Sequence, residues 1–206
     1  MGSGQQEQLP AGYTRLKYLE ADGMQYIDTG VPGSTDMYFA IDGETCGNSL
    51  TVNTYSGFNG LFDNQNGLRN NPSINLNFWQ TYYNGVTILV YARNTQICRI
   101  TGEKRFGRIT MVINGEYAEI NGERYPFDKS VSHQSTQKPI YLFKINTPTT
   151  ITDKQNVRLY YASMDNRRGQ RREYIPALAP AGRPCLFDLV NRTPYFNAGT
   201  GEFSYA

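Results

Sequence analysis

The sequence predicts an all-β protein, one domain built as two antiparallel sheets packed face to face. Three observations predict it. Apolar and polar residues alternate in short runs, the pattern of a strand whose successive side chains point to opposite faces. Asn-Gly and Asp-Gly pairs punctuate those runs, as tight turns require. Helical periodicity is almost absent, so nothing is available to build the long crossovers of a parallel sheet.

Along the chain, Gln25–Thr29 reads as a strand that Gly30 ends, and Met37–Ile41 as a strand running into a turn at Asp42-Gly43. Strand patterns follow at Leu50–Tyr55, Ile74–Trp79, Thr87–Ala92 and Gln96–Ile100. Ile109, Met111 and Ile113 share one face of a strand that closes at Asn114-Gly115. The clearest local unit is Tyr117–Ile120, Asn121-Gly122 and Arg124–Phe127, because Asn-Gly accepts positive φ at both central positions of a two-residue hairpin. Ser130–Ser135 reads as a polar loop. Ile140–Ile145, Val157–Ala162, Glu173–Leu178, Cys185–Val190 and Pro194–Asn197 complete the strands. Many short strands joined by Gly, Asn and Pro turns indicate a sandwich.

Composition narrows the function classes. The 206 residues are 39% hydrophobic and 13% aromatic, with 16 Tyr, which suits a packed core and not a disordered chain. The net charge of +2 gives no general pull toward nucleic acid. The longest apolar runs are pieces such as Val86–Val90, far below the roughly 18 residues of a membrane span, so no membrane insertion is expected. Met1–Gly4 reads as an appended tag and Gln5–Gln8 as a polar leader, leaving residues 9–206 as the domain.

The chain opens with Leu9-Pro10, Gly12-Tyr13, Arg15-Leu16 and Tyr18-Leu19-Glu20, then Gln25-Tyr26-Ile27-Asp28-Thr29-Gly30. Pro139-Ile140-Tyr141-Leu142-Phe143 follows the central hairpin. Toward the end stand Tyr174-Ile175-Pro176-Ala177, Leu186-Phe187-Asp188-Leu189-Val190-Asn191 and Phe196-Asn197-Ala198-Gly199-Thr200-Gly201. In this order the series resembles the laminin-G-like, concanavalin A-like jelly-roll modules of bacterial surface proteins and phage tail proteins. The resemblance implies a jelly-roll sandwich with its termini close together, located outside the cell or on a virion. An export segment would then lie outside these residues. It also implies ligands, often glycans, on a sheet face or at edge loops. Physically the motifs read as fold markers: Asp188 and Asn191 can bond the turn that follows them, and the Gly199–Gly201 corner can return the chain toward its first strands.

Chemistry-bearing residues are sparse. Glycoside hydrolysis needs two carboxylates roughly 5–10 Å apart across the scissile bond. The Glu-x-Asp-x-x-Glu strand pattern of hydrolases with this fold is missing, and Glu116 and Glu119 have the wrong spacing to share a strand face. His133, the single histidine, lies in the polar loop, without a serine elbow. Cys46, Cys98 and Cys185 show no CxxC spacing, which speaks against structural zinc. Their odd number prevents complete pairing, and spacing does not decide whether any two of them join. No organic cofactor is expected. Calcium is the one ion the resemblance implies, through loop residues drawn from Asp42, Asp63, Asp128, Asp153 and Asp165.

Two groups are candidate binding residues. Asn75, Asn77 and Trp79 alternate along one strand, followed by Tyr82 and Tyr83; amides bond sugar hydroxyls and an indole packs on a pyranose face. Arg167, Arg168, Arg171 and Arg172 crowd the hairpin between Val157–Met164 and Glu173–Leu178, where guanidinium forks could hold sulfate, uronate or phosphate. The expected function is a non-catalytic recognition or adhesion module whose partner is a glycan or a surface protein. The alternatives are a structural domain of a phage tail or surface assembly, and a hydrolase whose carboxylates come from distant strands. The oligomeric state is not legible in the sequence.

Overall fold

A computed structural model describes residues 9–34, 36–46, 59–61, 75–81, 85–92, 95–102, 107–130, 135–146 and 156–206. Over 59–61, 75–81, 85–92 and 95–102 it describes the backbone path. The described elements are all strands. They begin with β1 (Thr14–Arg15), β2 (Leu19–Ala21), β3 (Ile27–Ser34), β4 (Tyr38–Cys46), β5 (Asn59–Leu61) and β6 (Asn75–Thr81). Next come β7 (Gly85–Ala92), β8 (Thr95–Gly102), β9 (Gly107–Ile113), β10 (Tyr117–Ile120), β11 (Glu123–Pro126) and β12 (Ser135–Leu142). The chain ends with β13 (Ile145–Asn146), β14 (Asn156–Asp165), β15 (Arg171–Leu178), β16 (Pro184–Asp188), β17 (Thr193–Phe196) and β18 (Ser204–Tyr205).

The large sheet runs β11-β10-β9-β4-β14-β15-β16-β17, with β2 and β18 joined beside β14 and β1 beside β15. A smaller sheet runs β13-β5-β12-β3, and β6-β7-β8 form a three-stranded sheet; among the described strands every pairing is antiparallel except β13 with β5. Alternation builds the core between the large and small sheets. Phe39 and Ile41 on β4 stand opposite Ile113 and Met111 on β9, and Ala118 and Ile120 on β10 continue the row. Those side chains pack with Leu19, Val157 and Leu159 against Ile27, Val31, Ile140 and Leu142 of the small sheet. The result is a β-sandwich-like, mostly antiparallel all-β architecture.

On the opposite face of the large sheet the described residues cover only a part. Ile175, Ala177, Cys185 and Phe187 form a second apolar cluster there, and Leu9 and Tyr13 pack over it. The Tyr13 ring meets Phe187 edge-on at 5.1 Å. This N-terminal cover lies over β15 and β16.

The Asn121-Gly122 hairpin forms as expected, with φ of 49° and 87° at its two turn residues. Asn114-Gly115 also turns: the Asn114 side chain accepts from Glu116 N at 2.9 Å and Tyr117 N at 3.0 Å. Five expectations need correction. Asp42-Gly43 is not a turn; β4 runs straight through it, and Tyr160 on β14 is the extra residue of a bulge between Leu159↔Gly43 and Tyr161↔Asp42. Gly30 does not end its strand either. It takes φ 65° inside β3, where the register against β12 shifts between Asp28↔Tyr141 and Pro32↔Pro139, a conformation glycine adopts without Cβ strain. Ile140–Ile145 is broken, because Phe143 turns to φ 71° and anchors against Phe203 at 4.9 Å. Cys185–Val190 ends at Asp188, whose carboxylate accepts from Val190 N at 3.0 Å and from Asn191 Nδ2 at 2.7 Å, bending the chain out of the sheet. Ser135, expected in a loop, opens β12 opposite Ser34. Leu50–Tyr55 and the segment 1–8 lie outside the described residues.

The chain ends meet. Asn197 Oδ1 accepts from Tyr26 N at 3.1 Å and from Gly199 N at 2.8 Å, and its amide donates to Gly201 O at 2.9 Å. Ala198 N and Thr200 N bond Tyr26 O and Met24 O at 2.9 and 3.3 Å. β18 then pairs with β2, so the corner returns the chain to its start.

Candidate functional site

Asn75, Asn77 and Trp79 occupy alternate positions of β6, opposite Tyr91, Leu89 and Thr87 of β7. Tyr82 and Tyr83 lie outside the described residues.

The arginine-rich hairpin forms where expected, between Asp165 and its partner Arg171, but its arginines disperse. Arg167 donates to Asn114 O in the β9–β10 turn. Arg168 grips both oxygens of Asp36 at 3.0 and 3.1 Å and also Ser34 Oγ at 3.0 Å. Burial alone would raise the Asp36 pKa; the bonds from Arg168 and Ser34 and the arginine's charge outweigh it and hold it below the usual value. Arg171 reaches Glu173 at 3.8 Å, and Arg172 places Nε 3.4 Å from the fully buried Asp188. Each arginine therefore has its own partner within the fold.

Of the expected calcium ligands, Asp42 pairs with Arg108, Asp128 caps Ser130, and Asp165 accepts from Arg167 N. Asp63 and Asp153 lie outside the described residues, as does His133. Among the described residues no three His, Cys, Asp or Glu side chains come together. Glu116 sits in the β9–β10 turn, apart from the strand that carries Glu119. Cys185 is free and buried, its thiol donating to Ala177 O at 3.5 Å, and burial pushes its pKa up to about 11. That removes it from any disulfide.

The structure brings together a set of residues that the sequence reading missed. On the outer face of the large sheet, beyond the N-terminal cover, Glu20 stands opposite Arg158, Arg158 opposite Glu44, and Glu44 opposite Arg108. Four adjacent strands thus carry charges of alternating sign, the arrangement in which directly opposed pairs stabilise register. Arg158 bonds Glu20 at 2.7 Å and approaches Glu44 at 3.6 Å. Arg108 holds Asp42 with a two-point fork, Nε at 2.7 Å and Nη2 at 2.6 Å. The Tyr160 hydroxyl donates to Glu44.

Flat surfaces run through this ladder. The Arg158 guanidinium lies over the Tyr18 ring at 4.6 Å, and Tyr18 meets Tyr160 at 5.7 Å. Arg108 lies over Tyr160 at 3.9 Å. Guanidinium, ring, ring and guanidinium make one continuous group. A separate unit repeats the motif on the β10–β11 hairpin, where Arg124 lies over Tyr117 at 4.5 Å and bonds Glu119 at 2.7 Å. Glu119 opposes Val112 on β9 and Arg124 opposes Glu119, so this unit shares the same face. Burial, reinforced by the bond to Glu44 and its charge, pushes the Tyr160 hydroxyl up to about 12. The bonds to Asp42 and Glu119 raise the pKa values of Arg108 and Arg124, keeping both guanidiniums charged. A signal for this face did exist in the sequence, in the polar alternate positions Asp42 and Glu44, but their partners are remote in the chain.

Comparison with protein-family models, with curated proteins and with solved structures finds no match.

Proposed function

We propose that the chain is a non-catalytic, extracellular recognition module of the laminin-G-like, concanavalin A-like jelly-roll type, and that it binds carbohydrate on the outer face of its large sheet. The observation that carries this reading is the continuous Arg158–Tyr18–Tyr160–Arg108 group. It offers flat surfaces to the C–H face of a sugar ring and, at its margins, oriented donors and acceptors to the hydroxyls. The ionic partners lock these side chains before a ligand arrives, which lowers the ordering cost of binding. The carboxylates support a binding role and not a hydrolytic one. Glu20, Asp42 and Glu119 are held by arginines and Glu44 by a tyrosine, so each is committed within the face instead of flanking an open gap for a glycosidic oxygen.

Glycan-array screening of the parent protein beside Tyr160→Ala and Trp79→Ala tests it, with thermal melting as the folding control. The expected result is a selective signal that Tyr160→Ala abolishes. Loss with Trp79→Ala alone would move the site to β6, and absence of any signal from the parent would refute carbohydrate recognition.

A further inference from the structure

Resting on that carbohydrate reading, we infer that the ligand is an extended, uncharged oligosaccharide lying across the strands, with the Arg124–Tyr117 pair as a distal subsite. The length follows from strand order. From β2 to β11 the face crosses β14, β4, β9 and β10, five interstrand steps or about 24 Å, and on β9 the row of Arg108 lies four residues from that of Val112, which Glu119 opposes, adding about 13 Å along the strands. Stacked arginine–tyrosine pairs mark both ends of that span, at Tyr18 and Tyr117, and a third at Tyr160 stands one strand in from the first. A single sugar ring can cover one such pair and leave the others unused.

The charge pattern selects the chemistry. Arg108, Arg124 and Arg158 stand among Glu20, Asp42, Glu44 and Glu119, so the face cancels its own positive charge and repels an added anion. Donors are still presented. Arg108 uses Nε and Nη2 on Asp42, and Arg124 uses Nε on Glu119, which leaves Nη1 of Arg108 and both terminal nitrogens of Arg124 without a partner among the described residues. Side-chain exposures of 53% and 65% put those nitrogens within reach of a ligand. Hydroxyl oxygens along a neutral chain match that supply.

The test is calorimetric titration of the parent and Arg124→Ala with cello-, xylo-, manno- and malto-oligosaccharides of two and six units, and with oligogalacturonate of six units. The hexamer of one neutral series is expected to bind roughly tenfold tighter than its dimer, and Arg124→Ala to remove most of that gain. Equal affinity for dimer and hexamer would overturn the extended site while leaving carbohydrate recognition standing. Oligogalacturonate binding more tightly than every neutral chain would overturn the charge argument. If no oligosaccharide of any length binds, the underlying carbohydrate reading fails as well. A hexamer advantage untouched in Arg124→Ala would place the distal subsite elsewhere and refute its assignment to Arg124.

Discussion

Gly199→Ala probes the corner that joins the two chain ends. The residue's φ is ordinary, so the obstacle is steric: an added Cβ would fall inside the volume of Met24 O and stand 3.0 Å from Tyr26 Cδ1. The first neighbour is backbone and cannot swing aside, so the two segments must separate by roughly 1 Å or more to restore ordinary contact. Separation strains three hydrogen bonds at once: Ala198 N to Tyr26 O, Thr200 N to Met24 O, and Tyr26 N to Asn197 Oδ1. At about 1 kcal/mol each the loss is about 3 kcal/mol, which lowers the melting temperature of a chain this size by about 6–12 °C. Gly122→Ala is the control, since nothing lies within 4 Å of its would-be Cβ and its φ of 87° adds only backbone strain of about 1–2 kcal/mol. Calorimetry gives the melting temperatures, and hydrogen exchange shows whether the Tyr26, Ala198 and Thr200 amides lose protection. A Gly199→Ala protein melting within 2 °C of the parent, with those amides still protected, would refute the account of the corner.

Two further outcomes are expected. The Asp36 pKa is depressed in the folded state, so its ionic bond to Arg168 adds stability above the unfolded value near 3.8 and loses it as pH falls below that. Asp36→Asn should therefore melt with a shallower pH dependence than the parent between about pH 5 and 3; parallel curves would contradict the assignment. Tyr174 is fully buried and its hydroxyl has no hydrogen-bond partner of good geometry among the described residues, although Tyr195 packs edge-on at 5.3 Å. Tyr174→Phe removes an unsatisfied group and should raise stability by about 1 kcal/mol, read as a melting rise of about 2–4 °C. A drop in melting temperature would mean that the hydroxyl has a partner.

How much of the fold the sequence disclosed depended on whether the deciding partner was near in the chain. Asn121-Gly122 was legible because four residues suffice to make that turn. Asp42-Gly43 carried the same kind of signal and meant something else, since a strand on its other side, more than a hundred residues away, supplied the bulge at Tyr160. Gly30 was misread for a related reason. Its positive φ is tolerated inside β3 because Thr29 Oγ donates to Ile140 O at 2.7 Å and accepts from Val31 N at 3.1 Å, binding both flanks of the irregularity. At Phe143 no local rule anticipates a buried aromatic residue with positive φ, and its partner Phe203 comes from the segment between the last two strands of the chain.

The same logic explains why the arginine run was conspicuous and the outer face was not. Sequence density made Arg167, Arg168, Arg171 and Arg172 look like one patch, yet a hairpin divides such a run. Arg171 and Arg172 are neighbours on a strand and so point to opposite faces, while Arg167 and Arg168 leave the loop toward different turns. The latter two fasten the hairpin to the β9–β10 turn and to Asp36, and Gly115 is needed there because a Cβ would stand 2.8 Å from Asp36 O. Local clustering of charge served interlocking of turns. The outer face inverts this relation, since Glu20, Glu44, Arg108 and Arg158 are scattered in sequence and consecutive only across strands. A cross-strand charge ladder is a property of register, so it becomes readable once pairing is known, and its partners must change together if recognition is to be altered without loosening the sheet.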